Sequence, residues 1–418
     1  MLRNYLKIAL RNLLKNKVYA FINIGGLALG LACVMAIGLY VWDEYQYDRA
    51  VPQFEHTYRI TEKQKQADGL YNVAVTPGPL APVLKSNFPE ITQIVRVGAW
   101  YGLLQYQQTA FESKAMRIVD PSFFSFFGFK LLVGNPKTAF QAPDEVVISE
   151  AVAAHFFGND WKRKPILGQP FRLDQKLTLR LVGVVENTPR RSHLSFDVLL
   201  PFKYLELNDP WSNRWNSNNY HTYLKIRPDA DVSLFSQKIV GVLKKYDKGN
   251  ETPLFLQPLG DIHLHSKFDF GSDWQTHSDI ATLRIFIVVG LIVLLIALFN
   301  FINLATARAT QRAQEVGIRK SAGAMRSSLV VQFLGEALLM VSLAFGLGLV
   351  FLELLLPFMN ELSQKTIITP LYSPLFWGSS VVLLIIISLL AGLYPAFLSF
   401  FFSPCSCAKG DFGSKIKK

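Results

Sequence analysis

The sequence is poor in cysteine and lacks the short signatures that mark most enzymes. Its three cysteines are Cys33, Cys405 and Cys407, so the 241-residue polar stretch Asp43–Leu283 contains none. That stretch must hold together through an ordinary apolar core, and at this length it can bury one without disulfide staples. No glycine-rich phosphate loop, H-E-x-x-H or G-x-S-x-G motif occurs, which removes the P-loop, metalloprotease and hydrolase readings. His263-Leu264-His265 would set two imidazoles on one face of a strand, but zinc sites want three or four protein ligands and no third is near. Ser192-His193 suggests a nucleophile and base, yet neighbours on a strand point to opposite faces. A turn residue with a structural hydrogen bond is the expectation there. No catalytic, cofactor-binding or metal-ligating residue is expected, and the chain reads as a non-enzyme.

Acidic charge is scarce outside the polar stretch. The net charge of +12 divides into +1 for Asp43–Leu283 and +11 for everything else. A uniformly basic surface would point to nucleic acid; this distribution does not. The excess flanks four long apolar runs, Val18–Val41, Ile285–Ala307, Leu329–Leu356 and Phe376–Phe402. Each approaches or exceeds the ~20 residues that cross ~30 Å of hydrocarbon as a helix. Arg3, Lys7, Arg11, Lys15 and Lys17 precede the first run; Arg308, Arg312, Arg319, Lys320 and Arg326 follow the second; Lys409, Lys415, Lys417 and Lys418 follow the fourth. Lysine and arginine are retained on the cytoplasmic side of short loops. Both termini and the 308–328 loop are therefore expected inside, with the large domain outside.

The first run reads as an uncleaved anchor. It is longer than the apolar core of a signal peptide and ends in an aromatic belt at Tyr40 and Trp42 followed by Asp43 and Glu44. Ahead of it, Arg3, Lys7, Arg11 and Lys15 recur at helical spacing beside a row of leucines. That pattern fits an interfacial helix on the inner leaflet and equally the start of one long helix. Inside the run, Gly26 and Gly30 form a small-xxx-small patch suited to close helix packing. Glu336 and Glu353 in the third run lack an apparent facing partner, while Asn300 and Asn303 in the second could bond across helices.

The outer stretch mixes strand and helix signals. Thr57–Thr61, Leu177–Val185 and Tyr220–Ile226 alternate as strands. Glu145–Ser149 predicts a strand entering a helix, Glu150–Phe157, stopped by Gly158. The spacing of Leu234, Ile239, Val242 and Leu243 predicts one helix over Ser233–Tyr246. No repeat is evident. The fold class is a polytopic α-helical membrane protein of four transmembrane helices, with a large α+β extracytoplasmic domain inserted between helices 1 and 2.

The strongest local signal is Arg312–Ala324, a short mixed-charge helix with glycines between the second and third runs. Glu315-x-Gly317-x-Arg319-Lys320-x-x-Gly323-Ala324, entered through Asn300–Arg308 and followed by Gln332–Glu336, resembles the coupling-helix region of MacB/FtsX-type ABC transporter permeases. Val147–Glu150, Phe157-Gly158, Val182–Val185 and Ser192–Leu194 resemble that family's periplasmic core domain. A turn at Gly392–Ala396 and the Pro404–Gly410 segment are similar to its C-terminal end. Cys405-Ser406-Cys407 departs from the family's tail pattern, and the chain carries one span–domain–spans unit where many similar permeases carry two.

The resemblance implies a layout: cytoplasmic amphipathic helix 1–17, spans 18–41, 285–307, 329–356 and 376–402, periplasmic core domain 43–283, coupling loop 308–328 and cytoplasmic tail 403–418. It implies a mechanotransmission permease that exports or extracts peptides, lipoproteins or antibiotics, or else a non-transporting regulator such as an activator of cell-wall hydrolases. Glu315, Gly317, Arg319, Lys320 and Gly323 would contact a separate cytoplasmic ATPase that binds the ATP. A second permease copy, a periplasmic adaptor or substrate protein and the lipid bilayer are the other implied partners, in a bacterial inner membrane.

Overall fold

The structure is a computed structural model that describes residues 17–273, 277–311 and 326–401. It divides into a helical unit, formed by the segments up to Asp43 and from Ala281 onward, and a core domain, Glu44–Ile280.

The helical unit contains four long helices, Lys17–Tyr45, Ile280–Gln311, Arg326–Ser363 and Pro374–Phe401. Each carries a window long and apolar enough to span a bilayer. Because they are apolar on every side, no amphipathic stripe marks the buried face, which mixes alanines with large apolar side chains. Leu27, Ala28, Leu31, Ala297, Phe301, Val341, Ala344, Ile387 and Ala391 form one packed seam among the four helices. The outward faces expose Ile285, Leu291, Ile296, Leu354 and Val382, as lipid contact requires. Outside this seam, Lys365, in the segment after the third helix, meets Asp43 Oδ2 at 2.9 Å and sits 5.0 Å from the Tyr40 ring. The Gly392–Ala396 stretch, expected as a turn, is helical backbone.

The core domain is built on one mixed sheet of twelve strands: β1 (Thr57–Gln66), β2 (Gly69–Val73), β3 (Thr76–Pro77), β4 (Ile91–Tyr106), β5 (Thr109–Val119), β6 (Leu131–Gly134), β7 (Glu145–Ser149), β8 (Pro170–Leu173), β9 (Leu177–Val185), β10 (Val198–Pro201), β11 (Asn218–Ile226) and β12 (Leu254–Pro258). One half is open, in the order β12-β1-β11-β4, all antiparallel. Helices Leu80–Asn87, Val232–Ile239 and Val242–Tyr246 cover it through Leu84, Phe235, Ile239 and Leu243 against Ile60, Leu224 and Ile226. The other half closes on itself. β4 continues to β5, β10, β7 and β9, and β8 bridges β9 back to β4. Closure leaves no free edge in that ring, and Met116, Ile118, Ile148, Phe171, Leu181 and Val198 belong to the apolar cluster it packs.

Local chemistry explains the elements. Ser149 caps the helix Glu150–Phe157 by accepting from the Val152 N–H at 3.3 Å, and Gly158 ends it at φ 82°. The single helix expected over Ser233–Tyr246 is two short helices, interrupted at Val240-Gly241. Glycine is the poorest helix former after proline, and apolar spacing carries no signal for that break. His263-Leu264-His265 lies in a helix, Leu259–His265, so the two imidazoles do not share a strand face.

Candidate functional site

The chain enters the core domain at Glu44 and leaves it at Ile280, and polar side chains buried near both ends converge on the helix Leu259–His265. At the entry, Glu44 Oε2 accepts from His263 Nε2 at 2.6 Å, with both side chains almost wholly buried. Tyr47 stacks flat on the same imidazole, ring centroids 3.4 Å apart and planes within 4°. At the exit, the Ser278 N–H donates to the His263 carbonyl at 2.7 Å. One residue thus grips both ends of the domain.

A second buried pair braces the entry. Asp48 Oδ1 lies 2.8 Å from His193 Nδ1 and accepts from the His193 N–H at 3.1 Å. The Asp48 N–H donates to the Arg191 carbonyl at 2.8 Å. His193 Nε2 lies 3.0 Å from the Tyr223 hydroxyl on β11. His193 is fully buried, and the Ser192 hydroxyl accepts from the Leu194 N–H. The Ser192-His193 pair is a turn with structural hydrogen bonds, as expected.

A third group fixes the exit. Arg59 on β1 makes a bidentate pair with Asp273, at 2.7 and 3.0 Å, with no exposed surface on the guanidinium. Gln257 Oε1 accepts from its Nε and Nη2 at 3.1 and 2.7 Å, Ser266 Oγ lies 3.1 Å from Nη2, and Phe268 lies 5.0 Å away across its face. Burial pushes the Asp273 carboxyl up, but the Arg59 guanidinium outweighs it and holds the carboxyl below its usual range. Beside this pair His221 Nε2 lies 3.0 Å from the Ser272 carbonyl. Burial, with the Arg59 charge, pushes His221 down to about 3, so its imidazole is neutral. These groups are shut off from solvent and tie segments far apart in the chain to one another.

Sequence patterning missed this site. Thr57, Arg59 and Thr61 alternate as a polar strand face facing water, yet all are buried because the domain covers both faces of β1. Glu44 reads in the sequence as part of the acidic end of a span, and nothing in the pattern singles out Asp48. In the helical unit, Gly26 and Gly30 face the second helix. A Cβ on Gly30 would come within 2.5 Å of the Ala297 Cβ, and one on Gly26 within 3.2 Å of the Asn300 amide nitrogen. Glu353 is exposed near the outer end of the third helix. Glu315, Gly317, Arg319, Lys320 and Gly323 lie outside the described residues, as does the expected amphipathic helix up to residue 16. Among the described residues no cluster of histidine, cysteine, aspartate and glutamate could hold a metal.

Two family models account for most of the chain. Residues 20–252 match the MacB-like periplasmic core domain, more than half of the sequence, and residues 287–404 match the FtsX-like permease C-terminal domain. The chain belongs to the MacB/FtsX family of ABC transporter permeases. Its domain is therefore extracytoplasmic and its four apolar helices are membrane spans. Macrolide export ATP-binding/permease protein MacB 1/2 of Paracoccus denitrificans (strain Pd 1222) is 26% identical over 263 residues, 60% of this chain and 35% of that protein. Macrolide export ATP-binding/permease protein MacB of Shewanella sp. (strain W3-18-1) is 24% identical over 256 residues, 56% and 35%. The matches thus span about a third of each relative. Among solved structures, a domain of a putative permease from Porphyromonas gingivalis aligns with 50% of this chain and 92% of its own at 20% identity and a TM-score of 0.43. The periplasmic region of MacB from Actinobacillus actinomycetemcomitans aligns with 51% and 92% at 18% identity and 0.38.

Proposed function

We propose that this permease is a mechanical transmitter: a separate cytoplasmic ATPase grips the segment around Glu315, Gly317, Arg319, Lys320 and Gly323, and its ATP-driven motion is delivered to the periplasmic core domain. The permease itself does not hydrolyse ATP, and it works as a pair with a second copy, identical or related. Charge asymmetry supports the orientation, with both termini and the 308–328 loop in the cytoplasm of a bacterial inner membrane. The observation that carries the reading is the grip of His263 on both ends of the core domain, through Glu44 and Tyr47 at the entry and Ser278 at the exit. Force on either end reaches the same helix, and buried hydrogen bonds are electrostatically stronger than exposed ones. The load is an extracytoplasmic molecule such as a peptide, lipoprotein or antibiotic. Macrolide export stands in the names of two relatives, so a macrolide is one cargo to test.

Affinity purification of the detergent-solubilised permease with its ATPase tests the assignment. Gly317→Trp combined with Arg319→Glu is expected to abolish co-purification and ATP turnover. Retention of both would contradict it. Unchanged ATP turnover with no exported molecule, but with a periplasmic hydrolase in the eluate, would move the chain to the regulatory reading.

A further inference from the structure

A cleft of about 630 Å³ opens in the core domain where β1, β2, β4 and β11 meet the 209–219 loop and the 270–272 segment. Its size is that of a small-molecule site. Three aromatic rings line it, Trp100, Tyr220 and Phe270. Tyr220 is held edge-on to Phe202 at 4.8 Å and lies against Gly98, where a Cβ would come within 3.0 Å of its ring. Phe270 is braced by Tyr71 at 4.5 Å. Gln64, Asn218 and Asp209 supply polar walls.

Behind two of these walls sits Glu62, 1% exposed. Its Oε2 accepts from Gln64 Nε2 and Asn218 Nδ2, each at 3.0 Å. Its Oε1 and the Asn218 Oδ1 are buried acceptors without a partner, and the Trp100 Nε1–H is a buried donor without one. Unpartnered buried polar atoms are costly and need an explanation. Asp209 is the only charged residue among the lining residues described, and none of them is lysine or arginine. The neighbouring arginines are committed elsewhere: Arg96 to Asp120 and Glu206 at 2.7 and 2.9 Å, and Arg59 to Asp273. The unpartnered Asn218 Oδ1, the Asp209 carboxylate at the wall, the Glu62 carboxyl behind it, which ionises above about 7, and three aromatic faces all favour a cationic donor. An anion would find no counter-charge.

We propose that this cleft binds a protonated amine carried on a small hydrogen-bonding body, the ammonium donating toward Glu62 and Asn218 between the aromatic rings, and an oxygen of the ligand accepting from Trp100. The site stands apart from the transmission reading, because binding needs neither ATPase nor transport. Burial holds the Glu62 carboxyl up at about 7, the signature of a buried acid with no cation beside it.

Calorimetry on the full-length permease in detergent, with the glucosamine trimer as the amine probe and its fully N-acetylated counterpart as the neutral control, tests the proposal. The amine trimer is expected to bind saturably and at least tenfold more tightly than the acetylated one. Glu62→Gln and Asp209→Asn, which keep the shape but replace one carboxylate oxygen with an amide donor and remove the charge, are each expected to remove most of that preference. Equal binding of the two trimers, no saturable binding of the amine trimer, or an unchanged preference in both variants would overturn it.

Discussion

At the scale of single residues, the core domain carries buried ionisable groups whose protonation differs between folded and unfolded chains. Glu62 stays protonated in the fold up to about 7, against 4.5 in a free side chain. The unfolded state releases that proton first, so this residue's contribution falls as pH rises from 4.5 to 7, by roughly 3 kcal/mol in all. His221 works in the opposite sense. It resists protonation down to about 3, whereas the unfolded chain binds the proton below about 6.5, so stability is lost as pH falls through that window at about 1.4 kcal/mol per unit. The two slopes offset each other between pH 4.5 and 6.5, and single variants separate them. Glu62→Gln is expected to raise the melting temperature at pH 7.5 and leave it unchanged near pH 4, read by thermal denaturation in detergent. His221→Gln is expected to flatten the acid limb below pH 6.5 in the same experiment. Arg59→Met leaves the Asp273 carboxylate buried without its partner, a loss of about 3–5 kcal/mol. Adding Asp273→Asn to that variant is expected to recover part of it, which chemical denaturation would register.

Among elements, close approach in the membrane depends on residues too small to read as a stripe. Gly30 packs on Ala297, with no room for a methyl group between them. Gly30→Leu is expected to cost about 1–3 kcal/mol through overpacking. Ala297→Gly in the same chain is expected to restore most of the loss, seen as recovery of the melting temperature and of monodisperse elution. Gly26-Leu27-Ala28-Leu29-Gly30 invites a partner helix, and in this structure that helix is the chain's own second span. Strands and helices whose signals are local were legible in the sequence. Glu145–Ser149 and Leu177–Val185 alternate or bury as runs of branched residues, and the Ser149 cap and Gly158 stop bracket the helix between 150 and 157. What was hidden depends on residues far apart in the chain. β8 closes the ring by pairing with β4, and Arg59 meets Asp273 across more than two hundred residues. No period of 2 or 3.6 encodes either. The imidazole of His263 was visible only as half of a metal pair, because its carboxylate partner, Glu44, sits at the other end of the domain.

For the whole molecule, the spacing of one span before the core domain and three after it gives that domain two tethers, and both ends of the domain meet at one buried histidine. The proposed transmission requires motion in the core domain when nucleotide binds the ATPase. Hydrogen exchange measured by mass spectrometry on the permease–ATPase complex in lipid nanodiscs, with and without a non-hydrolysable ATP analogue, tests this directly. Altered protection is expected in the core-domain segments 44–56 and 259–273 when the analogue binds, with loss of that response in a His263→Ala variant that still retains the ATPase. Identical exchange in those segments with and without the analogue, while the ATPase remains bound and occupied, would contradict it.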